Sequence, residues 1–142
     1  MKTIRKNKLY LLNILIALVT GGSVYIIFRK DTYIASFFWA IFPVDISIPN
    51  VDLMSIRFIR NYLGDILWAY ALTISLWLAF DKTNLYRTSI VSFLFCVFCE
   101  SLQKIEALHG TFDVMDIITE GITVGIAAFV INLIKKNEGE EK

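Results

Sequence analysis

Three carboxylates stand inside otherwise apolar stretches of this chain: Asp65, Glu100 and Glu120. An ionisable side chain near the centre of a membrane-spanning helix costs ~2.5–3.5 kcal/mol on insertion scales, so it usually faces a partner, water or a ligand. Their depths can be compared by counting residues. Asp65 lies five residues past Arg60, or ~7.5 Å along a helix. Glu100 lies thirteen residues past Arg87, ~20 Å from that end and hence ~10 Å below the opposite boundary. Glu120 lies four residues past Asp116, ~6 Å deeper than that residue. Three different helices thus place a carboxylate in one thin layer, and the layer is expected to be a polar pocket.

Helical spacing extends the set. Glu100, Gln103 and Lys104 stand at i, i+3 and i+4, on one face, and Asp113, Asp116 and Glu120 at i, i+3 and i+7, again one stripe. Arg60 and Asp65 offer a cation and a carboxylate at the mouth of their helix. Trp68, Tyr70 and Trp77 read as packing aromatics, with Trp68 also a candidate wall of the pocket. Asp113, Asp116 and Glu120 carry the oxygen ligands that a hard cation takes. The structural alternative is that all these groups form interhelical hydrogen bonds and ion pairs that hold a bundle together.

Other candidates point to packing. Cys96 and Cys99 form a C-x-x-C pair in an apolar helix with no second pair nearby, and are expected to be small packing residues. His109, the only histidine, reads as a loop residue. Gly121 and Gly125, four apart, let another helix approach closely, within one chain or in a homodimer, and Gly21 and Gly22 offer the same in the first helix. No G-x-S-x-G, phosphate-binding glycine loop or H-E-x-x-H is present, and no motif calls for a cofactor or a resident metal.

The composition explains what must position these groups. Of 142 residues 56% are hydrophobic and only 19% charged, with eleven Phe, six Tyr and three Trp; mean hydropathy is +0.61. A net charge of +1 provides no basic surface for nucleic acid. Soluble enzymes, disulfide scaffolds and disordered chains fit poorly; the partner of most of this chain is a lipid bilayer. About 20 apolar residues in a helix cross the hydrocarbon core, and four runs qualify: 9–28, 62–80, 88–103 and 117–134. Each is expected to be helical, since a lone strand leaves its backbone groups unpaired in lipid. The first is expected to be a retained helix rather than a cleaved leader, because apolar character resumes from Val24 to Phe28.

Nine of the fourteen cations fall in the N-terminal arm, the 81–87 loop and the C-terminal tail. Four crossings put those three segments on one side, so both termini are expected to be cytoplasmic in a multi-pass protein of the cell membrane. The segment 31–60 is too apolar for an ordinary loop. Its Tyr33, Phe37, Phe38, Trp39 and Phe42, followed by helically spaced Leu53, Ile56 and Ile59, read as structure lying in the membrane interface or as a re-entrant helix packed on the bundle. The expected architecture is a single all-α domain over residues 1–142: four transmembrane helices and an interfacial segment.

The run from Glu100 through Gly125 resembles the VanZ-like family of small bacterial membrane proteins. Members carry Glu-x-x-Gln near the end of one helix, a loop with an aromatic and an acidic residue, and an Asp opening a Gly-containing last helix. The matching residues are Glu100, Gln103, Phe112, Asp113 and Asp116. Where many members have an Arg this chain has Gly110, and where they have an Asn it has Glu120, which makes the site more acidic. The resemblance implies membrane location and, through the family's founding member, a link to teicoplanin resistance at the cell envelope.

The expected function is an envelope protein, non-enzymatic or not yet enzymatic, whose outer-leaflet polar pocket, built from Arg60, Asp65, Trp68, Glu100, Gln103, Lys104, Asp113, Asp116 and Glu120, takes a lipid-linked or cell-wall-related molecule. A metal-assisted membrane hydrolase and a proton- or ion-coupled transporter are the alternatives. The hydrolase lacks a nucleophile with an adjacent base.

Overall fold

A computed structural model describes residues 2–28, 37, 39–41, 54–102 and 113–140. Four helices account for nearly all of them: α1 (Lys2–Phe28), α2 (Met54–Ala79), α3 (Leu85–Leu102) and α4 (Val114–Glu140). Each is long and apolar enough to cross a membrane, over Asn7–Phe28, Ile56–Ala79, Leu85–Leu102 and Val114–Asn137. No strand occurs among the described residues. The protein is an all-α, multi-pass membrane bundle.

The helices extend beyond the apolar runs, each beginning before the run it contains. α2 begins at Met54, so residues 54–60 are the first turns of the second span rather than part of a separate interfacial element. Arg57 and Arg60 interrupt the apolar run, but both lie on exposed positions and leave the backbone ladder intact. α4 likewise continues to Glu140, past residue 134 where the last apolar run ends. Of the aromatic segment 31–53, Phe37 and Trp39–Ile41 are described, in helical backbone. The Trp39 indole N–H donates to the Ile26 carbonyl at 3.1 Å, which brings Trp39 back onto the last turns of α1. The carbonyl is one of those a helix C-terminus leaves unsatisfied.

A tight turn over residues 80–84 joins α2 to α3. Asp81 and Lys82 both adopt left-handed backbone (φ 52° and 58°), and their amides return to the carbonyls of Leu78 and Trp77 at 3.2 and 3.1 Å. Asn84 then caps α3, its Oδ1 accepting from the Arg87 amide at 3.0 Å. We call the end of the bundle holding this turn and both termini the basal end, and the opposite end distal. Three cations sit over rings at the basal end: Lys82 Nζ lies 4.3 Å from the Tyr10 ring centre, Lys135 Nζ 5.9 Å from that of Trp77, and the Arg87 guanidinium 5.9 Å from that of Phe80.

The bundle divides by depth. Its basal half encloses an apolar core of Tyr10, Ile74, Trp77, Ala127 and Ile131, with Ile14, Tyr70, Leu78, Leu85 and Ile134 packed around it. α1 lies along α2, tied by the Tyr70 hydroxyl donating to Asn13 Oδ1 at 2.9 Å. At Gly21 the two helices come close: a Cβ there would sit 3.3 Å from the Leu67 Cβ. α2, α3 and α4 pack against one another; toward their distal ends they bury Glu100, Glu120 and Thr123 beside Cys96 and Val124, and lower down Thr73, Thr88 and Ser92.

Candidate functional site

The 80–84 turn fixes α2 and α3 in register. Asp65 lies fourteen residues before Ala79 and Glu100 fifteen after Leu85, or ~21 and ~22 Å above the turn. Two helices that leave one turn together therefore deliver these carboxylates to the same level. α4 brings Glu120 to them from the other side. Glu100 and Glu120 are buried, 3% and 2% exposed, while Asp65 and Asp116 are half-buried. Glu120 lies within electrostatic reach of Glu100, Asp65 and Asp116, with Glu100 the strongest of the three charges. Four acidic groups from three helices thus share one distal layer, two sealed within the bundle and two at its edge.

Glu120 Oε2 is fully enclosed and has no hydrogen-bond partner among the described residues. A buried carboxylate oxygen without a donor forfeits its solvation, at ~1–3 kcal/mol or more. Such an arrangement is poor glue. It is well suited to receive a donor from outside the described bundle: a hydroxyl, an ammonium group or water.

The other sequence candidates separate into groups. Asp113 is the N-cap of α4, its Oδ1 accepting from the Met115 amide at 2.9 Å, and the Tyr62 hydroxyl of α2 hydrogen-bonds the same carboxylate. Its first task is to start α4 and dock it on α2. Arg60 is exposed, its Nε donating to Asn61 Oδ1 at 3.3 Å, and so lies apart from the buried pair. Trp68 is 47% exposed, turned largely out of the bundle rather than forming a wall beside Glu120. Gln103, Lys104, His109 and Phe112 lie outside the described residues. Among the described residues no three His, Cys, Asp or Glu side chains are grouped to hold a metal ion.

The glycine pair also divides. A Cβ on Gly121 would meet the Phe93 ring of α3 at 3.1 Å, whereas nothing lies within 4 Å of one on Gly125. Gly121 lets α4 seat against α3 beside Glu120; Gly125 faces outward. Cys96 is fully buried and Cys99 half-buried, both as free thiols, and both feel the charges of Glu120 and Glu100.

Several polar residues of the interior escape a search for ionisable groups. Thr88, Ser92 and Thr123 are buried, Tyr62 reaches Asp113, and Asn13 meets Tyr70. For α3 the available signal was a four-residue repeat, Thr88, Ser92, Cys96 and Glu100, which reads as the polar seam of an apolar helix once its period is noticed.

Residues 54–119 match a family model described as a protein of unknown function, DUF2809. The match runs from the start of α2 into α4, just under half of the chain, and includes Asp65, Glu100, Asp113 and Asp116, stopping one residue before Glu120. No curated protein and no solved structure matches the chain.

Proposed function

We propose that this protein is a non-enzymatic membrane protein of the bacterial envelope, with cytoplasmic termini, whose distal acidic layer binds the polar head of a lipid-linked or cell-wall-related molecule. The observation that carries this reading is Glu120, buried within electrostatic reach of Glu100, with one carboxylate oxygen lacking a donor among the described residues. Buried carboxylates repel a bare phosphate and favour donors, so the fitting ligand chemistry is the hydroxyls of a glycan or the ammonium group of an aminated head. Half-buried Asp65 and Asp116 supply the rim by which such a head would enter from the outer leaflet. The basal cations Lys82, Arg87 and Lys135 support cytoplasmic termini. A role like that of the VanZ-like proteins, altering susceptibility to teicoplanin, follows from the resemblance of the Glu100–Gly125 run.

The test uses the full chain in nanodiscs containing a fluorescent polyprenyl-diphosphate-linked disaccharide pentapeptide, beside teicoplanin susceptibility of a strain expressing the same variants. Glu120→Gln, Glu100→Gln and Asp65→Asn each remove a charged acceptor, and each should weaken binding roughly tenfold or more. Binding and susceptibility that stay unchanged in all three variants would leave the acidic layer a structural feature only.

A further inference from the structure

The acidic layer is the upper end of a longer feature. α3 buries one residue per turn, and the four are Thr88, Ser92, Cys96 and Glu100, none more than 3% exposed. Its bulky Leu94, Phe95 and Phe98 are turned outward. Small residues are the ordinary buried face in a membrane bundle; here they carry hydroxyls or a thiol, and the line ends in a carboxylate. α2 and α4, which pack against α3, add buried Thr73 and Thr123.

Distances along this face have a simple meaning. Four residues of helix advance ~6 Å, close to two hydrogen bonds of ~2.8–3.0 Å placed end to end. One bridging water therefore has the right length to link side chains at successive positions. Thr73 and Thr123 donate to their own helices, to Ala69 O at 2.8 Å and Thr119 O at 2.7 Å, and their oxygens keep lone pairs for a further donor. Thr88 does the same with Asn84 O at 3.0 Å, at the basal mouth of the face. Between the ends lies Ser92, completely buried, its Oγ without a hydrogen-bond partner among the described residues. Trp77 Nε1 near the basal end and Glu120 Oε2 at the distal end are in the same condition. Buried polar atoms left without protein partners are the usual hosts of internal water.

We infer that the buried face of α3 is a water-bridged proton path, leading from the Glu100–Glu120 pair past Ser92 to Thr88 and the basal surface, and that the protein conducts protons along it. The titratable groups facing the acidic pair are Asp65 from α2, Asp116 from α4, and Cys96 and Cys99 from α3 itself. In each cycle a protonated Glu120 or Glu100 releases H⁺ to the adjoining water. Further water beside Cys96 carries the proton over the ~12 Å from Glu100 to Ser92, whose hydroxyl accepts one proton and donates another, and a proton leaves beside Thr88. The carboxylate recovers H⁺ from the distal side. One positive charge crosses per cycle, so a counter-charge has to move elsewhere. The inference stands apart from the lipid-linked ligand: it shares Glu120 with that reading but not Ser92.

The experiment places the full chain in phosphatidylethanolamine–phosphatidylglycerol vesicles with pyranine inside and a potassium gradient directed outward. Valinomycin then sets an inside-negative potential and carries the compensating charge. Acidification is expected to exceed that of protein-free vesicles at least tenfold. Glu120→Gln, nearly isosteric, and Ser92→Val, which removes the relay hydroxyl, should both return it to the protein-free rate. Ser101→Ala, changing an exposed hydroxyl bonded to Val97 O, should leave it unaltered. Wild-type flux no faster than lipid alone overturns the inference, as does undiminished flux in Ser92→Val. Should Ser92→Val fail to fold, Glu120→Gln decides by the same criterion. Ser92→Val that blocks flux yet binds the fluorescent glycolipid normally separates this path from the binding site.

Discussion

Replacing Glu120 with Met distinguishes a site from a structural tie. The two side chains have similar length and volume, so the exchange leaves little cavity and little strain. Glu120 is 2% exposed and its Oε2 has no donor among the described residues. The wild-type fold therefore bears an uncompensated desolvation of ~1–3 kcal/mol, which Glu120→Met removes. Proximity to Glu100, Asp65 and Asp116 adds repulsion whenever two of them are ionised, and the exchange relieves that as well. We expect the variant to be more stable by ~1–3 kcal/mol. At roughly 4 °C per kcal/mol for a chain of this size, the midpoint rises by about 4–12 °C. Cys96, a fully buried free thiol, supplies the assay: in a Cys99→Ala background its reaction with a thiol-activated fluorophore reports unfolding in detergent. The same variant should lose ligand binding and proton flux, because stability has been gained where function required a buried carboxylate kept without a donor. A fall in the midpoint of several degrees would refute the reasoning. It would mean that Glu120 holds the helices together and that the layer is glue.

Two further outcomes follow from the packing. Gly121→Leu drives side-chain atoms into the Phe93 ring, 3.1 Å from the position of a Cβ, and should cost ~1–3 kcal/mol, whereas Gly125→Leu, opening on empty space, should shift the midpoint by less than ~0.5 kcal/mol; thermal unfolding of the pair side by side checks both. Asp113→Ala removes the cap of α4 and the acceptor for Tyr62, and should lower stability by ~1 kcal/mol or somewhat more. Asp113→Asn, which keeps a capping oxygen, should recover most of that loss in the same measurement.

The four crossings, and the all-α class with them, were determined by sequence, because only an unbroken apolar run of sufficient length can pass through hydrocarbon and only a helix satisfies its own backbone there. The common level of Asp65 and Glu100 was legible too, since helix rise is constant and residues can be counted from a boundary. Helix ends were less so. Arg57 and Arg60 break a hydropathy pattern without breaking a backbone hydrogen bond, so the start of α2 at Met54 was hidden behind them.

Direction around each helix axis was decided by tertiary structure alone. Counting along the chain gives the depth of Glu120, Trp68, Arg60 or Asp113 but not the neighbour each one meets, which depends on how the helices rotate and seat against one another. That rotation enclosed Glu120 and turned Trp68 outward. It gave Asp113 to the cap of α4 and spent Gly121, not Gly125, on the approach to α3. It also gathered Thr88, Ser92, Cys96 and Glu100 into one buried line. Depth is a one-dimensional property that a sequence carries; facing is a property of several helices at once.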